Sequence, residues 1–222
     1  MSARPDPEYA SPVVPAAAVD PLADVEALRQ ALLPLVGDPD GPAWNQHEIS
    51  DVVDAATLSK AAVLVGLVER PEGVHVLLTR RNERLSQHPG QVSFPGGRID
   101  PEDRSALEAA LRETWEEVAI GRDAIAPLGF LDPYSTITGF RILPLVARLA
   151  PDYRARPNPD EVAQAFEVPL APLMAGNRVV QMAMPWRGRP RQYWEYQVGP
   201  HRIWGATAAM LVNLARRVGV SI

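Results

Sequence analysis

The chain has 222 residues, 22 basic and 27 acidic side chains, a net charge of −5 and no cysteine. A length of that order suits one domain with a tail, and 46% hydrophobic with 22% charged residues is a soluble globular composition. The missing cysteine excludes disulfides, a thiol nucleophile and a thiolate zinc site, and the acidic balance argues against binding nucleic acid through bulk charge.

Residues 1–20, rich in Pro, Ala and polar side chains, carry no hydrophobic period and are expected to be a disordered tail. They are not a secretory signal, because Pro15 breaks the apolar run and Asp6 and Glu8 precede it. No stretch approaches the ~18 apolar residues of a membrane span. The expectation is a cytoplasmic protein without a membrane partner. Asp20-Pro21 reads as a helix start, followed by Val25, Leu28, Leu32 and Leu35 at helical spacing. Residues 38–50 read as a loop. Segment 21–60 is thus a helix and loop packing on a main domain, 61–222. Residues 61–69 and 74–80, around Pro71-Glu72-Gly73, read as a β-hairpin. A polar segment (81–90), Gln91-Val92-Ser93-Phe94 and the turn Pro95-Gly96-Gly97 follow. Asp103 or Ser105 caps a helix to about Val118. Strands are expected near 125–131, 140–149, 162–168, 178–184 and 191–198. A last helix, 206–218, carries Met210, Leu211, Leu214 and Val218 at helical spacing. The pattern is an α+β or α/β/α sandwich with a mixed sheet.

The chemistry concentrates in Arg112-Glu113-Thr114-Trp115-Glu116-Glu117. On a helix, Glu113, Glu116 and Glu117 share one edge, while Leu107, Leu111, Thr114 and Val118 can face the core. Such crowding destabilises a helix by a few tenths of a kcal/mol per pair unless something compensates. A hard divalent cation does so, because Mg²⁺ takes one or two carboxylates together with phosphate oxygens. The alternative is a plain solvated acidic face. Arg112 can pair with Glu108 or Glu116 and hold the row in place. Upstream, the Gly96-Gly97 turn lets backbone groups approach an ion or phosphate, which adds Gly96 to the candidate ligands. Arg80, Arg81 and Arg84 form a basic cluster that either grips phosphate or is a solvated surface run. Arg187, Arg189 and Arg191, near Trp186 and Tyr193, stack on a base, contact another subunit or form a polar hairpin loop.

Gly97 to Ile120, GRIDPEDRSALEAALRETWEEVAI, resembles the Nudix box, G-x5-E-x7-R-E-U-x-E-E-x-G-U with U apolar. Asp103 stands where the first Glu is expected, one extra residue separates it from Arg112, and Ala119 replaces the late glycine. Residues 77–97, LLTRRNERLSQHPGQVSFPGG, are similar to the signature that precedes the box in coenzyme A diphosphatases. Residues 131–146, Glu161 with Val168-Pro169-Leu170, and residues 203–207 continue the likeness.

The resemblance implies the Nudix α/β/α fold and a Mg²⁺ or Mn²⁺ cofactor held by Gly96, Glu113, Glu116 and Glu117. It implies catalytic roles for Glu116, Glu117 and Glu161, the last as a distal base or further ligand, and substrate contacts from Arg80, Arg81 and Arg84. The implied partner is a small nucleotide-containing diphosphate, coenzyme A or an acyl form; a homodimer is left open. The implied products are 4′-phosphopantetheine, or its acyl form, and adenosine 3′,5′-bisphosphate. Other Nudix substrates (ADP-ribose, a dinucleotide, an oxidised nucleoside triphosphate) and a non-catalytic nucleotide-binding module are the rival readings. The complete set of box glutamates speaks against the last.

Overall fold

The computed structural model describes residue 22 and residues 24–176, 178–186 and 188–222. The expected tail, the Asp20-Pro21 helix start and Arg187 lie outside them. Helix α1 (Val25–Ala31) starts on Asp24, whose carboxylate accepts the backbone N–H groups of Glu26 and Ala27, and it buries Leu28. It ends earlier than its spacing predicts. Leu32 is extended, and Leu33 bridges Phe130 through hydrogen bonds of 2.8 and 2.9 Å, so Leu35 is left exposed. Pro34, just beyond, suits that extended course. A single turn, α2 (Gln46–Ile49), falls within the expected loop.

Strands β1 (Ser59–Arg70) and β2 (Gly73–Arg81) form the expected hairpin, but they pair only from Leu67↔Val76 to Arg70↔Gly73. Beyond Val76 they part. Strand β3 (Val92–Ser93) pairs with β2, and β4 (Gly96–Arg98) pairs with β1. The segment expected as a glycine turn is therefore a wedge driven into a split hairpin, fixed by Leu64 N–H donating to the Pro95 carbonyl at 2.8 Å. Gly96 must be glycine there: its φ is +150°, and a Cβ would stand 2.4 Å from the Ala62 carbonyl oxygen.

Helix α3 (Ala106–Val118) is capped by Ser105, not Asp103. The Ser105 hydroxyl accepts Glu108 N–H, and Asp38 from the N-terminal segment accepts Ala106 N–H. Strands β5 (Ile125–Phe130), β6 (Tyr134–Ser135) and β7 (Phe140–Leu149) follow. Strand β7 lies parallel to β1, and β8 (Val162–Pro169) runs antiparallel along β2, which gives a mixed sheet. After α4 (Leu170–Met174), strands β9 (Val179–Trp186), β10 (Arg189–Val198) and β11 (His201–Trp204) make a second, three-stranded antiparallel sheet. Helix α5 (Ala206–Arg217) closes the chain.

Two cores separate the layers. On one face Ala106, Ala109 and Ala110 of α3 pack on Ala62, Leu64, Leu143 and Leu145. On the other, Leu211 and Leu214 of α5 pack with Leu67, Val76 and Leu78, and Tyr196 and Ile203 of the second sheet join them. The result is the expected sandwich of a mixed sheet between helices. No helix among the described residues is long and apolar enough to cross a membrane.

Candidate active site

The small side chains of Ala106, Ala109 and Ala110 let α3 sit close on the sheet. That seating turns the three glutamates to different depths. The Glu116 side chain is 49% exposed and that of Glu113 16%, whereas Glu117 is buried with Thr114 and Val118 on the sheet side. The acidic edge is therefore not simply opposite the core, as the periodicity had it. Leu107 is only half-buried, and the outward position belongs to Trp115.

Arg112 braces the row. Its guanidinium forks onto Asp103 at 3.1 and 2.9 Å and donates to Glu113 at 2.9 Å, Glu116 at 3.0 Å and the Arg98 carbonyl at 3.0 Å. Asp103, at the departure from the box pattern, thus anchors the arginine. The Arg112 bonds hold its carboxyl below the usual carboxylate range. Of the two pairings expected of Arg112, the one with Glu116 forms. Glu108 instead bonds Arg104 and Arg122.

The wedge faces this row. A Cβ on Gly97 would stand 2.5 Å from the Glu113 carboxyl carbon, so only glycine leaves that carboxylate its place. Burial raises the Glu113 pKa and pushes the Glu117 carboxyl up to about 8. The charges of Glu113 and Glu161 add to the rise at Glu117; the Arg81 guanidinium and the Gly96 N–H oppose it. Glu161 is delivered from outside the box by the loop before β8. That loop is tied to the end of α3, with Arg156 N–H donating to the Val118 carbonyl and Asn158 N–H to the Glu117 carbonyl.

The three arginines of the basic cluster part company. The register of β2 with β8 shifts between Arg80 and Arg81, and the two side chains go to different partners. Arg81 lies with one Nη 4.0 Å from Glu117, its Nε buried without a hydrogen-bond partner. Arg80 pairs with Glu83 at the surface, and Arg84 is exposed in the following loop. Of the second run, Arg189 and Arg191 both bind Asp51.

Glu117 Oε2 is buried with no hydrogen-bond partner. An orphaned carboxylate oxygen near the half-buried carboxylate of Glu113 is a donor set that suits a hard cation. Among the described residues no three His, Asp or Glu side chains converge ready to hold an ion. Glu113 and Glu117 could hold one in company with water and phosphate oxygens, the usual arrangement for Mg²⁺.

Beside the carboxylates opens a cavity of about 640 Å³ between the second sheet, α2, β6 and the start of α5. Arg81 and Gly96 lie on its wall and so join it to the acidic row. Sequence reasoning missed its polar floor, Asn45 and Ser135. Asn45 donates to the Ser135 carbonyl and accepts Ser135 N–H, so residues 90 positions apart make one surface. The available signal was indirect: residues 131–146 and 203–207, part of the family likeness, supply much of the wall.

Fold and site together define an α/β/α protein with an arginine-braced acidic helix set against a glycine wedge. The NUDIX domain model matches residues 58–184. The Nudix hydrolase NudL of Escherichia coli (strain K12), itself uncharacterized, is 40% identical over 161 residues, 72% of this chain and 83% of that protein. NudL of Cronobacter sakazakii (strain ATCC BAA-894) is 41% identical over 160 residues, with the same 72% and 83% covered. The crystal structure of RenU, a Nudix hydrolase from M. smegmatis, is similar with a TM-score of 0.44 and 23% identity over 51% of this chain and 71% of that one. The chain belongs to the Nudix family. It is a hydrolase acting on a nucleoside diphosphate derivative.

Proposed function

We propose that the enzyme hydrolyses the diphosphate of coenzyme A or an acyl derivative, giving 4′-phosphopantetheine or its acyl form and adenosine 3′,5′-bisphosphate. One observation carries the substrate reading. Residues 77–97, which resemble the coenzyme A diphosphatase signature, supply Arg81 beside Glu117, Gly97 beside Glu113, and Gln87, His88 and Gln91 on the cavity wall. The segment that carries the likeness thus borders both the acidic row and the space next to it.

In this reading Glu113 and Glu117 are the main ligands of Mg²⁺ or Mn²⁺, with Glu116 and the Gly96 backbone as further ones. When bound, the ion neutralises diphosphate charge and makes water a better nucleophile. The chain's own groups do the positioning. Arg112 fixes Glu113 and Glu116, and Gly97 leaves room for the Glu113 carboxylate. Glu161, steered by Asn158 at 3.5 Å, takes the proton of the attacking water. The water oxygen bonds to one phosphorus as the bridging P–O bond breaks. Arg81 binds the diphosphate oxygens, while Arg80 and Arg84 serve the nucleotide end from outside. The setting is the cytoplasm, and the partner is a small molecule, with neither nucleic acid nor membrane engaged.

The test is turnover with Mg²⁺ on coenzyme A, ADP-ribose, NADH and 8-oxo-dGTP. Coenzyme A is expected to give the highest kcat/KM. Cleavage of another member of the panel with coenzyme A left intact would overturn the substrate reading.

A further inference from the structure

We propose that the cavity beside the acidic row takes the pantetheine arm of the substrate and leaves the 3′-phosphorylated nucleotide end outside; this rests on the coenzyme A reading. Its volume, about 640 Å³, is that of a small-molecule site. Much of its wall is apolar or aromatic, with Phe94, Tyr134, Ile142, Met184, Trp204 and Met210 set among polar side chains. A flexible arm carrying apolar carbons gains from that surface.

The floor is built for one polar contact. Ser135 is 1% exposed, and its hydroxyl has no hydrogen-bond partner. A buried hydroxyl in that state lacks about one hydrogen bond's worth of compensation. An amide group of the arm supplies it. The neighbouring Asn45 uses its amide oxygen and one amide N–H on the Ser135 backbone and so fixes the shape of the floor.

The balance of charge favours keeping the nucleotide end outside. The arginines on the described wall are Arg81 and Arg191. Arg191 is committed, donating to the Glu48 carbonyl and to Asp51 at 2.7 Å each. Arg81 stands at the border with Glu117, where the diphosphate passes. Glu48 lies on the same wall. A 3′-phosphate inside would meet the Glu48 carboxylate and, for basic donors beyond the border, only the imidazoles of His47 and His88 and the one unpartnered Nε of Arg191, whose Nη groups are already bound. The arm brings no charge past its own phosphate, which Arg81 meets.

The two halves of the substrate separate the alternatives. Binding of 4′-phosphopantetheine and of adenosine 3′,5′-bisphosphate is measured by calorimetry, with Mg²⁺, on wild type, Met184→Trp and Ser135→Ala. Met184 is half-buried on the second sheet, so the larger ring enters the cavity without opening a core. Met184→Trp is expected to weaken 4′-phosphopantetheine about tenfold, and Ser135→Ala about fivefold. Binding of adenosine 3′,5′-bisphosphate stays within about twofold of wild type in both. The reverse pattern, equal losses for both halves, or no binding of 4′-phosphopantetheine overturns the assignment. Each of these with coenzyme A still cleaved overturns the cavity assignment alone; coenzyme A left intact overturns the substrate reading as well.

Discussion

Glu116 and Glu117 are neighbours in sequence and live in different solvents. Glu116 is half exposed, whereas Glu117 is buried against the sheet and its carboxyl titrates near 8. A buried acid with a raised pKa keeps a proton in the folded state that the unfolded chain has already released. Without metal, stability therefore falls as pH rises from about 4.5 to about 8, by on the order of a few kcal/mol. In EDTA, Glu117→Gln is expected to flatten that decline and melt higher than wild type above pH 7. Equal pH slopes in the two proteins contradict the burial account. Arg81 is the second residue set apart by geometry. Arg81→Gln should raise KM about tenfold, with Arg80→Gln and Arg84→Gln within about threefold, as steady-state kinetics will show. The row of glutamates was legible because α3 is one continuous helix. Which of them is buried was not. The core side of α3 is set by alanines, whose hydrophobic signal is weak beside that of Leu107 and Leu111. Nor does a run of basic residues show which one a shift of strand register brings to the carboxylates.

At the scale of the elements, Ala119 shows why the box pattern has a glycine there. It closes α3 in the left-handed region, with φ +53° and ψ +32°, its N–H donating to the Trp115 carbonyl. Ala119→Gly relieves that strain and is expected to stabilise the protein by about 1 kcal/mol, read by denaturant unfolding, with turnover within about twofold. A loss of stability would mean that the left-handed turn costs nothing. The long elements were readable from period: the hairpin, α3, β5, β7, β8, β9, β10 and α5 stand near their expected places. The short ones, α2, β4, β6, α4 and β11, have two to five residues, too few for a period to register. The split of the hairpin was hidden for another reason. It depends on which partner completes β1, and residues 92–98 take that place only in three dimensions.

The whole molecule brings the site together from distant parts of the chain. Asp38 caps α3, Asn45 sets the cavity floor with Ser135, and the loop before β8 carries Glu161 to the acidic row. The N-terminal segment, read from sequence as a helix and loop resting on the domain, contributes groups to both ends of the site. Its Asp51 also ties down Arg189 and Arg191 of the second sheet. The net charge of −5 conceals this division of labour. Carboxylates gather at α3, Arg81 lies beside Glu117, and the adjoining cavity is largely apolar. The role proposed for the buried carboxylate of Glu117 is in a metal-dependent cleavage of a diphosphate. It is tested most directly by Mg²⁺-dependent turnover of coenzyme A in wild type and Glu117→Gln, with products identified by mass and the fold checked by circular dichroism. Wild type is expected to give 4′-phosphopantetheine and adenosine 3′,5′-bisphosphate, and the folded variant to lose about a thousandfold or more in rate. Turnover at the wild-type rate in Glu117→Gln would contradict that role.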